Sequence, residues 1–171
     1  VALPESLRLV VIASGVKHSL GQSAYNQRRE ECAAALEILR QRWPQLHTLR
    51  DLELGAAETA APDLGEQLWR RVRHVITENR RVLEAERALH GGDVRALGEL
   101  LRASHHSLRD DYQVSCRELD TMVEAACAAP GVSGARMVGA GFGGCTLAAL
   151  GGMNFNSDLE QLLERMARIL G

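Results

Sequence analysis

Several features that commonly reveal a protein's function are scarce or lacking in this sequence. Aromatic residues make up only 4% of the 171 residues, which argues against the stacking platforms that bind single-stranded nucleic acid. The 22 acidic and 20 basic residues leave a formal net charge of -2, so bulk charge predicts neither nucleic-acid nor membrane binding. No apolar run is long enough to span a membrane. The P-loop pattern G-x-x-x-x-G-K-S/T and the protein-kinase motifs H-R-D and D-F-G do not occur.

The cysteines and the start of the chain predict a cytoplasmic protein. Cys32, Cys116, Cys127 and Cys145 form no C-x-x-C pair and have no zinc-finger spacing to histidine. We expect small, buried, reduced residues, as a reducing compartment favours. Residues 1–15 lack the basic segment and cleavage site of a signal peptide. They also lack an initiating Met, which we interpret as the start of a processed chain or of a piece of a longer one.

Hydrophobic periodicity predicts strands at the two ends of the chain and helices between them. The pattern predicts strands over 7–13, 134–138 and 145–150, and amphipathic helices over 24–43, 63–90, 94–110, 116–129 and 158–170. Residues 45–62 resemble a loop with one helical turn. The sequence therefore predicts an α+β fold, rich in helices that pack on a small, mostly antiparallel sheet, in one unit without repeats.

Three helix starts carry capping signals. Asp63-x-x-Glu66 resembles a capping box with Asp in the first position, and Ser115-x-x-Glu118 is a full capping box. Asp93, which comes after a pair of glycines, is expected to cap the helix that begins after it.

Glycines cluster in "RMVGAGFGGCTLAAL", where Gly139, Gly141 and Gly144 spell G-x-G-x-x-G. A dinucleotide-binding turn needs a helix after the glycines, whereas the segment after Gly144 is β-like and short. We therefore reject that interpretation. Two others remain open: a turn that lets the backbone approach a phosphate or another loop, and a hairpin without a ligand.

Other polar clusters have simpler explanations than catalysis. His105 and His106 are adjacent on a helix and point about 100° apart, so they cannot clamp one ion. We expect them, and His74, to be surface or capping residues. Arg109-Asp110-Asp111 is expected to be a local ion-pair cluster at a helix end. The segment "VKHSLGQSAYNQRREE" places six polar residues between a strand and a helix: Lys17, His18, Ser19, Ser23, Tyr25 and Asn26. Such junctions are common locations for ligand sites, but, taken alone, the segment is better explained as a polar loop with a helix cap.

Three segments, in matching order and spacing, resemble the galactokinases of the GHMP small-molecule kinase superfamily. "VKHSLGQSAYNQRREECAAAL" resembles N-V-K/R-H-S-L-x-x-S-x-Y-x-x-R-R-x-x-C, and "ASHHSLRDDYQVSCRELDTMVEAA" resembles E-S-H-x-S-L-R-D-D-Y/F-x-V-S-C-P-E-L-D. "GARMVGAGFGGCTLAAL" resembles G-x-R-M-T-G-G-G-F-G-G-C, the third motif of the superfamily in its galactokinase form.

The resemblance implies a fold, a reaction and a set of roles. Galactokinases transfer the γ-phosphoryl group of ATP, with Mg²⁺, to the anomeric hydroxyl of galactose at a site between two lobes. Residues 1–171 resemble a single C-terminal domain of that kind, with residues 1–20 as the strand and loop that would join an N-terminal lobe. Tyr25 matches the tyrosine that lines the sugar pocket. The turn that packs against the phosphate loop corresponds to Gly139, Gly141, Phe142, Gly143 and Gly144.

The resemblance also has limits. The phosphate loop G-L-S-S-S-A, the Asp and Arg of the chemistry and the metal ligands match nothing in this sequence, so we assign no catalytic residue and no metal ligand here. Val138 stands for a family Thr, Ala140 for a Gly, Gly15 for an Asn and Arg117 for a Pro, and the family's closing strand has no counterpart. If position 140 needs a positive φ, Ala140 is strained. The changes at 138 and 140 indicate relaxed selection or an altered substrate.

Two functions are therefore predicted as alternatives. The first is the C-terminal part of a galactokinase-type sugar kinase that needs an N-terminal lobe for activity. The second is a non-catalytic module for sugar sensing or protein association, with a homodimer formed through the exposed face that would meet the lobe. An encoded G-L-S-S-S-A segment upstream of Val1 would favour the first.

Overall fold

A three-stranded antiparallel sheet and six α-helices make up the part of the chain that the computed structural model describes, residues 2–17, 21–152 and 154–170. In chain order the elements are β1 (Leu7–Lys17), α1 (Gly21–Arg42), a 3-10 turn (Leu49–Asp51), α2 (Leu54–Glu58), α3 (Ala61–His90), α4 (Val94–Asp110), α5 (Arg117–Cys127), β2 (Val132–Val138), β3 (Gly143–Gly151) and α6 (Phe155–Leu170). The predicted helix-rich α+β fold is confirmed.

The strand that lies last in sequence lies in the middle of the sheet. The spatial order is β1-β3-β2, and both pairings are antiparallel. Strand β1 runs four residues beyond its predicted end, with an irregularity between Ala13 and Lys17. Gly15 lies within it at φ +72°. Glycine tolerates this region because it has no Cβ atom, so the Gly found here suits the backbone of the strand at this point.

Apolar side chains form separate clusters on the two faces of the sheet. The face with Ile12, Ala135 and Ala148 packs against Met122 of α5 and Leu162 of α6. The opposite face, through Leu7 and Ala149, packs against Leu97 of α4. Farther from the sheet, α1, α2 and α3 enclose a core of their own, including Leu39, Leu64 and Val72. Burial of these faces explains why the apolar periodicity located the helices.

Of the three capping predictions, one is confirmed and two are wrong. The Asp93 carboxylate accepts from the Ala96 amide at 2.9 Å and caps α4. Helix α5 begins after Cys116, and the Ser115 hydroxyl instead donates to Asp120. Helix α3 begins earlier than Asp63, and Gly65 interrupts its helical backbone at φ +67°. Within the described ranges, no helix combines the length and apolarity needed to cross a lipid bilayer.

Candidate functional site

The glycine-rich turn between β2 and β3 adopts a backbone that few side chains allow. Gly139, Gly141, Gly143 and Gly144 have φ values of +101°, +89°, +119° and +99°, and Phe142 has +57°. Each glycine is thus in a region that favours glycine. The residues that resemble the third motif therefore form a turn whose shape depends on glycine at these four positions.

A neighbouring loop holds the turn in place. The Phe142 amide donates to the Val114 carbonyl at 2.8 Å, and a Cβ atom on Gly141 would collide with that carbonyl. Leu108, Val114, Leu119 and Met137 form a buried cluster beneath the contact, and Phe142 and Tyr112 pack against it. The glycine at 141 is therefore needed for close approach as well as for its φ value.

Ala140 is not strained. Among the described residues other than glycine, only Gln113 and Phe142 have positive φ, so the backbone at 140 suits an L side chain. Ala140 would disturb the turn only if its φ were positive, and it is not. Val138 is half-buried at the end of β2, opposite Cys145.

Tyr25 lies on the second turn of α1 with 40% of its surface exposed. It lies near Tyr112, whose pKa is raised to about 12, chiefly by burial, with the Cys32 thiol and Tyr25 adding to the shift. Tyr112 also packs against the buried cluster beneath the turn. Of the other polar residues at this strand-to-helix junction, His18 and Ser19 lie outside the described residues.

A buried ion cluster, which sequence reasoning missed, joins α1 to α3. The Glu31 carboxylate receives hydrogen bonds from Arg28, from the Arg71 Nε at 2.5 Å and from Gln67 at 2.7 Å. Burial opposes ionisation of Glu31 and by itself would raise the pKa of its carboxyl. The hydrogen bond and the charge of Arg71, together with the charge of Arg28, outweigh burial, so the pKa of Glu31 is lowered. One sequence signal was available: Arg71 comes after Leu64 and Leu68 at helical spacing on the apolar face of α3.

His74 and His105 are buried, so the expectation of surface or capping histidines is wrong for both. The His74 ring stacks on Tyr112 with centroids 4.3 Å apart. Its Nδ1 lies 2.9 Å from the Ser107 hydroxyl, which itself donates to Asp111, so Nδ1 carries the proton. Burial lowers the pKa of His74 to about 4.

His105 faces Asp120 but does not form a nucleophilic triad. The Met137 amide donates to His105 Nδ1 at 3.3 Å, and Nε2 lies 3.2 Å from an Asp120 carboxylate oxygen. Ser115 donates to the same oxygen at 2.6 Å rather than to the imidazole. A serine nucleophile needs the histidine as its base, so this arrangement is structural.

The remaining polar predictions have mixed outcomes. Arg109 pairs with Asp110 at 2.8 Å, as expected, whereas Asp111 pairs with Arg73 of α3. The four cysteines are free thiols and half-buried. Across the described part of the chain, no group of three or more His, Cys, Asp or Glu side chains is arranged to hold a metal ion.

Comparison with known proteins identifies the domain. Residues 85–169 match the family model described as GHMP kinases C terminal. The chain contains a GHMP kinase C-terminal domain. It includes the turn at 139–144 and the loop that holds it.

The curated relatives of the chain include galactokinases. The chain is 44% identical to the galactokinase of Roseiflexus sp. over 94% of its own length and 42% of the relative's. It is 45% identical to the galactokinase of Canis lupus familiaris, covering 92% of the chain and 39% of that protein. The chain therefore spans about two fifths of the length of the curated relatives it matches.

Solved structures give the same result. A structure of Lactococcus lactis galactokinase complexed with galactose matches 98% of this chain and 43% of its own, with a TM-score of 0.86 and 36% identity. A structure of L. major mevalonate kinase in complex with R-mevalonate matches 98% of this chain and 40% of its own, with a TM-score of 0.63 and 24% identity. This second likeness supports the fold alone.

Proposed function

We propose that this chain is the C-terminal lobe of a galactokinase-type sugar kinase, in which residues 1–171 form one domain and residues 1–20 lead into it from an N-terminal lobe. The observation that carries the proposal is the match, over 98% of the chain, to a galactokinase that was solved with galactose. The whole kinase would act in the cytoplasm on galactose or a related sugar.

The proposed reaction moves one phosphoryl group. The anomeric hydroxyl oxygen attacks the γ-phosphorus of ATP, the bond to the β–γ bridging oxygen breaks, and ADP leaves. The hydroxyl proton passes to a base that the N-terminal lobe would supply. Because phosphoryl transfer depends on positioning and on charge stabilisation, a lobe that shapes the pocket contributes without providing the base.

The described residues fit a shaping role. The exposed phenol of Tyr25 offers a donor and an acceptor to a sugar hydroxyl. The four glycines of the turn at 139–144 present backbone without side chains, which allows a phosphate loop to approach closely. We assign no Mg²⁺ ligand to this chain.

The test is a chimeric kinase in which the N-terminal lobe of the Roseiflexus galactokinase is fused to this chain. We expect galactose-dependent formation of ADP from ATP with Mg²⁺, and none from the chain alone. A folded chimera that forms no ADP with galactose or with related hexoses would contradict the proposal.

A Tyr25→Phe variant of the chimera tests the sugar pocket. Loss of one hydrogen bond of about 1.4 kcal/mol raises the KM for galactose about tenfold, with little change in the KM for ATP. A Tyr112→Phe variant, which removes a phenol that lies beside Cys32, serves as the matched control. Equal effects of the two variants on the KM for galactose would show that Tyr25 does not bind the sugar.

A second function has one observation in its favour. Leu9 and Val11 of β1 are 39% and 62% exposed and face the same side of the sheet, so a partner protein or a second copy of the chain has apolar surface to cover. This alternative is a non-catalytic module for protein association or sugar sensing. Sedimentation that shows a monomer, with and without galactose, would contradict it.

A further inference from the structure

Arg71 is the most completely buried charged side chain among the described residues, with 1% of its surface exposed. Every nitrogen of its guanidinium has an acceptor. Nε donates to Glu31 at 2.5 Å, one terminal nitrogen donates to the Asp111 carbonyl, and the other donates to the Gln113 side chain at 2.8 Å. One side chain of α3 therefore bonds two segments that lie about 40 residues away on either side in sequence.

The first of those segments carries Tyr25, the residue that we propose binds the sugar. Glu31 lies on α1 less than two helical turns after Tyr25. Arg28, between them, also bonds Glu31. A helix is stiff over this distance, so fixing Glu31 fixes the position from which Tyr25 projects.

The second segment holds the glycine-rich turn. Residues 111–114 are bound to α3 by Arg71 at the Asp111 carbonyl and the Gln113 side chain, and by Arg73 at the Asp111 carboxylate. Gln113 is held at φ +55°, an unfavourable conformation for its type. The next residue, Val114, accepts the Phe142 amide and contacts Gly141. The position of this loop thus determines the position of the turn.

The choice of Arg at this position fits a geometric role. Replacing a buried ion pair by well-packed apolar residues is often neutral or stabilising, so stability alone does not explain the cluster. A guanidinium donates from three nitrogens that lie in one plane and point in fixed directions, whereas the three donors of an ammonium share a single nitrogen that rotates freely. Glu31, Asp111 and Gln113 occupy those three directions.

We propose that Arg71 is a positioning residue, which fixes helix α1 and its Tyr25 relative to the loop 111–114 and, through Val114, relative to the turn at 139–144. The proposal rests on the proposed function for its consequence in catalysis, but not for the coupling itself. Arg71 touches neither substrate in this scheme and acts through the backbone of both segments.

The coupling can be measured in the chain without any substrate. Amide hydrogen exchange of the Phe142 N–H reports the bond to Val114. We expect Arg71→Lys and Arg71→Met to raise that exchange rate about tenfold or more, while the amides of the central strand β3 change much less. Gln113→Asn, which suits positive φ but is too short to reach Arg71, is expected to give a smaller increase in the same direction.

Arg81→Met is the matched control. Arg81 lies on the same helix, is 15% exposed and donates to Glu78 and Thr77 of α3 itself, so its loss weakens α3 without releasing the loop. Phe142 exchange that is unchanged in Arg71→Lys and in Gln113→Asn, or that rises equally in Arg81→Met, would overturn the proposal. Gln113→Asn keeps the test valid should Arg71→Met fail to fold.

The catalytic consequence is tested in the chimera. We expect Arg71→Lys to raise the KM values of both galactose and ATP severalfold, because both substrate-facing segments move, whereas Arg81→Met leaves both KM values unchanged. A lower kcat with unchanged KM values for Arg71→Lys would overturn the positioning role. If the parent chimera is inactive, the proposed function fails, and the exchange experiment still decides the coupling.

Discussion

At the scale of single residues, the backbone conformation determines which positions of the turn tolerate a side chain. Gly141 combines φ +89° with direct approach to the Val114 carbonyl, whereas Gly139 has φ +101° and open space around a Cβ atom. Ala140 lies between them without positive φ. The substitution at 140 therefore leaves the shape of the turn intact, and an altered activity would need another cause.

Alanine at positions 139 and 141 separates strain from collision. We expect Gly139→Ala to lower the free energy of unfolding by about 1–2 kcal/mol, since only backbone strain is added. Gly141→Ala adds a collision with Val114 and is expected to lower it by about 3 kcal/mol or more. Urea unfolding of the two variants measures the difference. Equal losses would mean that the contact with Val114 does not restrain the turn.

At the scale of helices and strands, the sequence pattern located most elements but not their limits. Apolar periodicity placed the helices because each buries one face, and the stop at Pro44 agrees with the end of α1 at Arg42. The capping prediction at Ser115 failed because its hydroxyl bonds Asp120, five residues on, instead of an amide. Local sequence offers several partners to such a side chain, and tertiary packing selects among them.

The crossing of α4 over β2 is a second feature that periodicity does not reveal. Gly98 and Gly134 lie so close that a Cβ atom on either would collide with backbone of the other element. The pattern marks the apolar face of α4 but contains no information on which residue meets which strand. Only the pairing of two glycines, far apart in sequence, fixes the point of contact.

The same substitution in two helices is expected to have opposite effects. Alanine has a helix propensity about 1 kcal/mol better than glycine. Gly55→Ala in α2, where a Cβ atom meets open space, should raise the free energy of unfolding by about 0.5–1 kcal/mol. Gly98→Ala, which collides with the Ser133 backbone, should lower it by about 2 kcal/mol or more. Thermal or urea unfolding compares them, and stabilisation by both would show that α4 can shift away from β2.

At the scale of the whole molecule, the polar interior could not be predicted from the sequence. The turn was predicted from its glycines and Tyr25 was selected by resemblance, since both belong to local motifs. The partners of Arg71 lie about 40 residues away, and His74 meets Tyr112 and Ser107 on other segments. Local periodicity indicates that such a side chain is buried but does not identify its partners. The partners of these side chains are known only from the three-dimensional structure.

Burial of neutral histidines makes the stability of the whole chain depend on pH. The pKa of His74 is about 4 in the folded chain and about 6.5 when unfolded. The unfolded chain therefore binds a proton at higher pH than the folded one, so the stability contribution is present above pH 6.5 and is lost as the pH falls towards 4. Burial also lowers the pKa of His105, although the charge of Asp120 opposes the shift. Both histidines destabilise the fold in mild acid.

We expect the free energy of unfolding to fall by about 1–2 kcal/mol between about pH 7 and pH 5 because of His74 alone. The carboxylates of buried Glu31 and half-buried Glu78 have lowered pKa values and titrate mostly below this window. His74→Asn, which keeps a donor for Ser107, should reduce the slope, with His105 accounting for part of what remains. Urea unfolding at several pH values measures both slopes. Parallel curves for the parent chain and the variant would show that His74 accepts a proton in the folded state as readily as in the unfolded one.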